Sequence, residues 1–343
     1  MFDALPSSIG FLVRFPHLRP AAGPEAPLAS WDFARAYGTT MRPYLFYVSG
    51  ITGILGLAFG PAVALLPATL LVVAFFFSYG FGQALTDCFQ TDTDAISAPY
   101  RPLASGLVRR RDVLSVSLVG LACIGGVLTW VNTLNLTLVG LSVLGLATYT
   151  WFKRRWWAGP FYNAWIVAVL MLIGYVSAVG AAGQSPGWPK GMTAAVLATF
   201  FAYSNFVLAG YFKDIDADHA TGYHTLPVVY GRPISTIVSD VFAAAAILCA
   251  GLAVTSSGAP QHTPVALLLL AAGAVVSVVA QARLHRVSRD TDAHRSITLV
   301  VHAYILLLAA VAAAFRQEWS LPLILFYAAF VVTLRLRPMR AQI

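Results

Sequence analysis

The stretch Gln83–Asp112 reads QALTDCFQTDTDAISAPYRPLASGLVRRRD. It sets Asp87, Asp92 and Asp94, then Arg101 and the run Arg109, Arg110 and Arg111, directly against an apolar segment. Carboxylate is the ligand that hard divalent cations such as Mg2+ prefer, so the stretch reads as chemistry at a membrane surface. A second stretch, Tyr211–Val228, YFKDIDADHATGYHTLPV, repeats the arrangement with Asp214, Asp216 and Asp218 after another apolar run. The rest of the chain reads as the wall that holds these two acidic loops together.

Of the 343 residues, 58% are hydrophobic and 10% charged, and the mean hydropathy is +0.74. That leaves too little polar surface to coat a soluble globule. The fold class is all-α, a polytopic transmembrane helical bundle of about nine to ten helices. Spans are expected near 42–60, 62–86, 113–132, 134–152, 162–182, 191–212, 234–255, 263–282, 296–315 and 318–335. A helix satisfies its own backbone hydrogen bonds in hydrocarbon and an open sheet does not, so strands are not expected. Residues 1–41, with Pro6, Pro16, Pro20, Pro24 and Pro27, form an N-terminal arm. Trp31, Phe33 and Tyr37 suit it to the membrane interface, and a mostly disordered tail fits the composition equally. Residues 42–335 are the transmembrane domain and 336–343 a short tail.

Charge orients the bundle. Of the 22 Lys and Arg residues only Lys190 and Arg316 fall on one side of the expected spans. By the positive-inside rule both termini and both acidic loops are cytoplasmic, in an integral multi-pass protein. The formal charge of +8 sits in short loops beside the spans, where it meets anionic headgroups of membrane lipid, and nucleic acid is not an expected partner. Cys88, Cys123 and Cys249 are scattered without metal or redox spacing and read as small buried hydrophobes.

Taken as a helix continuing the second span, the first loop puts Asp87, Gln90 and Asp94 at i, i+3 and i+7 on one face, with Thr86 beside them. Asp214 and Asp218 stand at i and i+4 in the second loop. Two such faces on one membrane surface can clamp Mg2+ ions that neutralise a diphosphate. Acidic residues that merely solubilise loops are the plain alternative, and their concentration here speaks against it, because the chain has only 14 Asp and Glu in all. A diphosphate also needs fixed positive charge. Tyr149 and Lys153 form a Y-x-x-x-K pair at the end of the fourth span, Lys213 precedes the second acidic loop and Arg101 follows the first. Arg109 to Arg111 fit topological anchoring better than ligand contact. Asn205, about two turns from Lys213, fits either a cavity-facing diphosphate contact or a packing role. Aromatic candidates to face a cation are Phe75 to Phe77, Tyr79, Phe81, Phe200, Phe201, Tyr203 and Phe206.

These residues carry a family resemblance. TDCFQTDTDAISAPYRPLASG resembles the first aspartate-rich motif of the UbiA superfamily of intramembrane prenyltransferases, N-D-x-x-D-x-x-x-D with an R-P-[IL]-x-x-G tail. KDIDADHATGYHTLPVVYG is similar to the second, D-x-x-x-D followed by G-x-x-T-x-P, and Tyr149 with Lys153 matches the family's Y-x-x-x-K. The resemblance covers about residues 42 to 315 and implies a helical bundle around a central cavity. It further implies Mg2+ held by Asp87, Gln90, Asp94, Asp214 and Asp218, and Lys153 and Tyr149 as catalytic residues. Arg101, Lys153, Lys213 and Asn205 would contact the diphosphate. The implied activity is transfer of a prenyl group from a polyprenyl diphosphate to a hydrophobic, aromatic or other lipid-precursor acceptor. A UbiA-type terpene cyclase, using the diphosphate without a second substrate, is the alternative, and a transporter a more distant one. Thr86 stands where the motif usually has Asn and Gln90 where it has Asp. Asp92 lies close enough in sequence to compensate for the lost charge. The last apolar run, Leu321–Leu334, reads as an addition to the family's usual set of spans.

Overall fold

The computed structural model describes residues 25–258 and 264–337, so the expectations for residues 1–24 and 338–343 lie outside the described residues. The described chain is helical, with a single isolated bridge between Arg155 and His224. A short helix α1 (Trp31–Met41) leads into α2 (Phe46–Ala58), α3 (Leu65–Asp87), the short α4 (Thr91–Ser97), α5 (Arg110–Val131), α6 (Asn135–Lys153) and α7 (Gly159–Ala181). The second part holds α8 (Met192–Tyr211), the short α9 (Ile215–Ala220), α10 (Leu226–Ser256), α11 (Pro264–Leu284), α12 (His294–Phe315) and α13 (Ser320–Arg335).

Among the described residues nine helices are long and apolar enough to cross a membrane. The expected first span, 42–60, is shorter than these, yet it runs from the charged face, where Arg42 meets Asp87, to the opposite face, where the Gly60 carbonyl accepts from Arg316. It contains a 3-10 turn, Pro43–Leu45, followed by the 13 residues of α2, which at 1.5 Å each reach about 20 Å of a hydrocarbon layer about 30 Å thick. Every α2 residue but Ile54 is buried, so this helix is walled by protein and has no lipid thickness to match. With α12, which is almost entirely buried, it forms the bundle's centre. α5, α6 and α13 are sparsely buried and present Leu118, Leu136, Leu144, Leu321 and Val332 outward, as lipid-facing helices do. Exposed Trp130 and Trp188 near one end, and Trp151, Trp156 and Trp157 near the other, have the amphipathic character that favours the membrane interface.

In lipid the helices gain little from hydrophobic burial, so close backbone approach matters more. At the crossing of α2 and α7 a Cβ on Gly56 would lie 2.0 Å from the Met171 carbonyl oxygen, and one on Gly174 would lie 2.4 Å from the Gly53 carbonyl oxygen. No rotamer relieves contact with backbone. Gly174→Val should therefore force the central pair apart and cost at least the ~1–3 kcal/mol typical of overpacking. A thermal melt of the detergent-solubilised variant reads this as a lowered midpoint, and an unchanged midpoint would contradict the packing described.

α1 is no disordered tail: Ser30 caps it by accepting from the Phe33 amide at 3.1 Å. Phe33, Ala36, Tyr37 and Met41 are buried, Tyr37 shares a 2.8 Å hydroxyl contact with Ser117 of α5, and Trp31 stays exposed. The added helix α13 lies across α2 and α12, through a Tyr47–Thr333 hydroxyl contact of 3.0 Å and a His302–Tyr327 hydrogen bond of 2.9 Å. α10 begins earlier than its expected span, because a turn from Leu226 joins it across a kink at Gly231, where φ is 74°.

Candidate active site

Both acidic loops have the same local design. α3 runs out at Asp87, Gln90 leaves helical geometry at φ −125°, ψ 20°, and α4 follows. α8 runs out at Tyr211, Asp214 breaks at φ −120°, ψ 11°, and α9 follows. The first loop is thus not the continuous helix expected from the sequence. The break nonetheless leaves Asp87, Gln90 and Asp94 lining one cavity, with Asp214 opposite them. Gln90 and Asp214 occupy equivalent breaks, and Asp94 and Asp218 each follow theirs by one turn. The two short helices meet through the hydroxyls of Thr93 and Thr221 at 3.3 Å. The backbone N–H of His224 donates to the Arg154 carbonyl at 3.1 Å, which pins the end of α6, and with it Lys153, to the second loop.

The cavity encloses about 240 Å³. Its polar end pairs each carboxylate with a cation. Arg42 Nη2 donates to both Asp87 oxygens at 3.0 and 2.8 Å, and Gln83 Nε2 adds a third contact at 2.6 Å. Arg101 pairs with Asp94, and Lys213 reaches both oxygens of Asp214 at 3.1 and 3.0 Å. Lys153 donates to Gln90 Oε1 at 2.8 Å and lies 3.9 Å from Asp218. Tyr149 is buried one turn from Lys153 and lines the same cavity. The opposite end is apolar, with Leu121, Gly125 and Leu128 of α5, Val139 and Leu146 of α6, and Leu170 and Ile173 of α7.

Burial and charge pull the loop carboxylates apart. Burial opposes ionisation of Asp214, but Lys213, Lys153 and Arg101 outweigh it and hold its pKa down to about 2. For Asp218 burial wins over Lys153, and Asp214 adds to it, so the pKa is pushed up to about 6. Burial likewise raises Asp94 despite Arg101, and lowers Lys213 despite Asp214. The physical difference lies in the number of cations each carboxylate sees.

Two sequence expectations are corrected, and a third residue, Asp218, is set back from the cavity lining. It stands behind Lys153, accepts from Thr225 Oγ1 at 3.2 Å and keeps a buried Oδ1 without a hydrogen-bond partner. Asn205 is not on the lining of the cavity. Its carbonyl oxygen accepts from Ser239 at 2.6 Å and Gln281 at 3.1 Å in a buried junction of α8, α10 and α11. Asp92 does not stand in for the missing charge at the cavity, since it is absent from the lining and pairs with Arg154 at 3.6 Å. Of the aromatic candidates Tyr79, Tyr203 and Phe206 line the cavity, whereas Phe75 and Phe81 fill the space over Gly53 and Gly120.

Arg42, which sequence alone places only among the orienting charges, is buried and lines the cavity. It is also the one residue other than glycine with positive φ, 55°, among the described residues. Left-handed backbone costs about 1–2 kcal/mol for a side-chain-bearing residue and persists where its surroundings over-determine it. Here the bidentate bond to Asp87 does so. The sequence signal was an arginine directly before Pro43 at the head of an apolar run.

A helical bundle with a self-paired ring of acids and bases at one membrane face, opening into an apolar groove, defines a membrane-embedded enzyme for an anionic head on an apolar tail. The chain belongs to the UbiA prenyltransferase family, whose sequence profile matches residues 46–300. It is a membrane prenyltransferase. The digeranylgeranylglyceryl phosphate synthase of Thermococcus kodakarensis is 28% identical over 282 residues, covering 80% of this chain and 96% of that one. The chloroplastic chlorophyll synthase of Arabidopsis thaliana is 28% identical over 165 residues, 44% of this chain and 41% of that one. Among solved structures, the apo form of a UbiA homologue from Aeropyrum pernix superposes with a TM-score of 0.64 at 22% identity, over 78% of this chain and 96% of that one. A homologue from Archaeoglobus fulgidus, bound to DMAPP and Mg2+, gives 0.62 at 16% identity, over 81% and 98%.

Proposed function

We propose that the protein is a Mg2+-dependent enzyme that seats a polyprenyl diphosphate with its head among Arg42, Arg101, Lys153 and Lys213 and its tail along the α5–α6–α7 groove. It then transfers the prenyl group to a lipid-precursor acceptor. The observation that carries this reading is the continuity of one cavity from the charged ring to the apolar groove. The donor set fits Mg2+: Asp87, Asp94 and Asp214 offer hard carboxylate oxygen and Gln90 a neutral amide oxygen, all on the cavity wall. Mg2+ is commonly held by one or two carboxylates together with substrate phosphates rather than by an all-protein cage. We place the charged face in the cytoplasm, as the bias of Lys and Arg requires.

When bound, Mg2+ neutralises the diphosphate and favours breakage of the allylic C–O bond. Negative charge grows on the departing diphosphate as that bond lengthens, and the fixed Arg and Lys groups stabilise it most at that moment. The carboxylates of these acid–base pairs would hold Mg2+, and Arg42, Arg101 and Lys213 would then be free to meet phosphate oxygen. The allylic cation left behind lies among Tyr79, Tyr149, Tyr203 and Phe206, whose rings offer π density. An electron-rich atom of the acceptor forms the new bond and gives up a proton, while the bundle excludes water.

The groove also speaks to tail length. From Lys153 down to Val139 on α6 is about 21 Å at 1.5 Å per residue. An extended chain advances about 1.2 Å per bond, so this holds roughly four isoprene units in extended form. An extended groove favours transfer over cyclisation, which needs a folded chain. The named product of the archaeal relatives makes geranylgeranyl diphosphate and a prenylated glyceryl phosphate the first substrates to test. Purified protein, incubated with the diphosphate with and without acceptor and with and without EDTA, should give a prenylated acceptor by mass spectrometry only with acceptor and free Mg2+. Terpene products from the diphosphate alone would establish the cyclase instead.

Gly125 sits at the foot of the groove, where a Cβ would already lie 3.1 Å from Val139. Gly125→Phe should lower kcat/KM for the four-unit donor by about 10–100-fold, in line with pocket discrimination of apolar groups. Turnover of a two-unit donor should be preserved. Equal losses for both donors would place the tail elsewhere.

A further inference from the structure

A second concavity, of about 730 Å³, opens at the same end of the bundle but outside the catalytic cavity. Arg283 at the end of α11, Thr291 and Asp292 in the connecting turn, His294 and Arg295 at the head of α12, and Arg337 just past α13 line it. Three helix ends thus bring their charged residues together at headgroup depth. α12 is the partition: Ile297 lines the catalytic cavity, while Thr298, the next residue, lines this one. Asp292 is the only carboxylate of the lining, and it is engaged with Arg289 at 3.6 Å. Arg283 and Arg295 have no carboxylate partner among the described residues.

Topological charge alone needs basic residues near a helix end, and it does not need them to converge on a hollow. We propose that this hollow binds the phosphate headgroup of an anionic membrane lipid, with Arg283 and Arg295 supplying the charge and the Thr291 hydroxyl a hydrogen bond. Basic pockets between helix ends on the cytoplasmic side suit such headgroups, and their arginines match phosphate geometry. The lipid's chains would lie along the outer faces of α11 and α13, where Leu268, Val275, Leu325 and Val332 are exposed.

The test uses the full chain in detergent, titrated with dioctanoyl phosphatidic acid, dioctanoyl phosphatidylcholine or inorganic phosphate and followed by calorimetry. Phosphatidic acid should bind, and the double variant Arg283→Gln/Arg295→Gln should weaken it about 25-fold, at about 5-fold per arginine near a headgroup. Arg295→Lys keeps the charge without the planar fork and should bind more weakly than the parent but more tightly than the double variant, and the melting temperature without lipid should stay at the parent value for both variants. Equal binding of phosphatidic acid by parent and double variant would overturn the proposal. So would phosphatidylcholine binding as tightly as phosphatidic acid, or inorganic phosphate competing at equal affinity, which would assign the hollow to a free anion.

Discussion

Lys153→Met is expected to lower kcat/KM by about 10²- to 10³-fold, the usual cost of losing one preorganised group that stabilises developing charge. Methionine keeps the length and apolar stem of lysine, so the loss reports charge. Lys153 lies between Gln90 at 2.8 Å and Asp218 at 3.9 Å, the central cation of the ring. Its removal also strands Asp218 in a fully buried position. Breaking one side of a buried pair typically costs about 3–5 kcal/mol, less where the remaining carboxyl can protonate. Two readouts therefore separate. The double variant Lys153→Met/Asp218→Asn should recover thermal stability and remain inactive. Recovery of activity with stability would mean that Lys153 serves the fold and not the diphosphate. The sign of the pH effect follows. In the metal-free parent the folded-state pKa of Asp218, about 6, lies above its ordinary 3.8. Between those values the folded chain holds a proton that the unfolded chain has lost, so this group's contribution to stability rises as pH falls through 6 and is complete near 4.

Asp214→Asn should be as damaging, with a loss on the order of 10³-fold, because it replaces a charged oxygen ligand on the metal wall by a neutral amide oxygen and takes the counter-charge from Lys213 at once. Its low pKa of about 2 means that the charge is present throughout the working range, so the loss should be independent of pH between 5 and 9. Calorimetric titration of Mg2+ together with inorganic pyrophosphate should show weakened, not merely slowed, binding. Pyrophosphate binding without added Mg2+ should change little or improve, since Lys213 is then released from its partner. A variant that binds Mg2+–pyrophosphate as the parent does would remove Asp214 from the metal site. Gln90→Asp is the informative companion. It restores the motif's usual carboxylate beside Lys153, so it should tighten Mg2+ while drawing Lys153 more firmly away from phosphate.

Much of this was readable in the chain. Hydropathy alone required a helical bundle, because each apolar run must satisfy its backbone within itself. The two aspartate stretches and the Y-x-x-x-K pair announced the chemistry, because carboxylates beside hydrocarbon are too costly to keep without use. What the sequence did not show has one cause. Helical spacing does not continue through Gln90, where the helix ends and restarts. Of the two roles open to Asn205 its packing partners decide, and Ser239 and Gln281 come from distant parts of the sequence. The role of Arg42 depends on an Asp that folding brings from 45 positions away.

The sequence by itself determined the class of the molecule: its solvent, its helices, its orientation charges and the residue types for holding a metal-bound diphosphate. Such properties follow from composition and short-range order, which do not change on folding. Tertiary structure decided which carboxylate meets which cation. It put Arg42 on Asp87, Lys153 between Gln90 and Asp218, and Asp218 behind the cavity wall. Those choices depend on helix crossings such as Gly56 against Met171, and a pairing set by the packing of distant segments leaves no periodic mark along the chain.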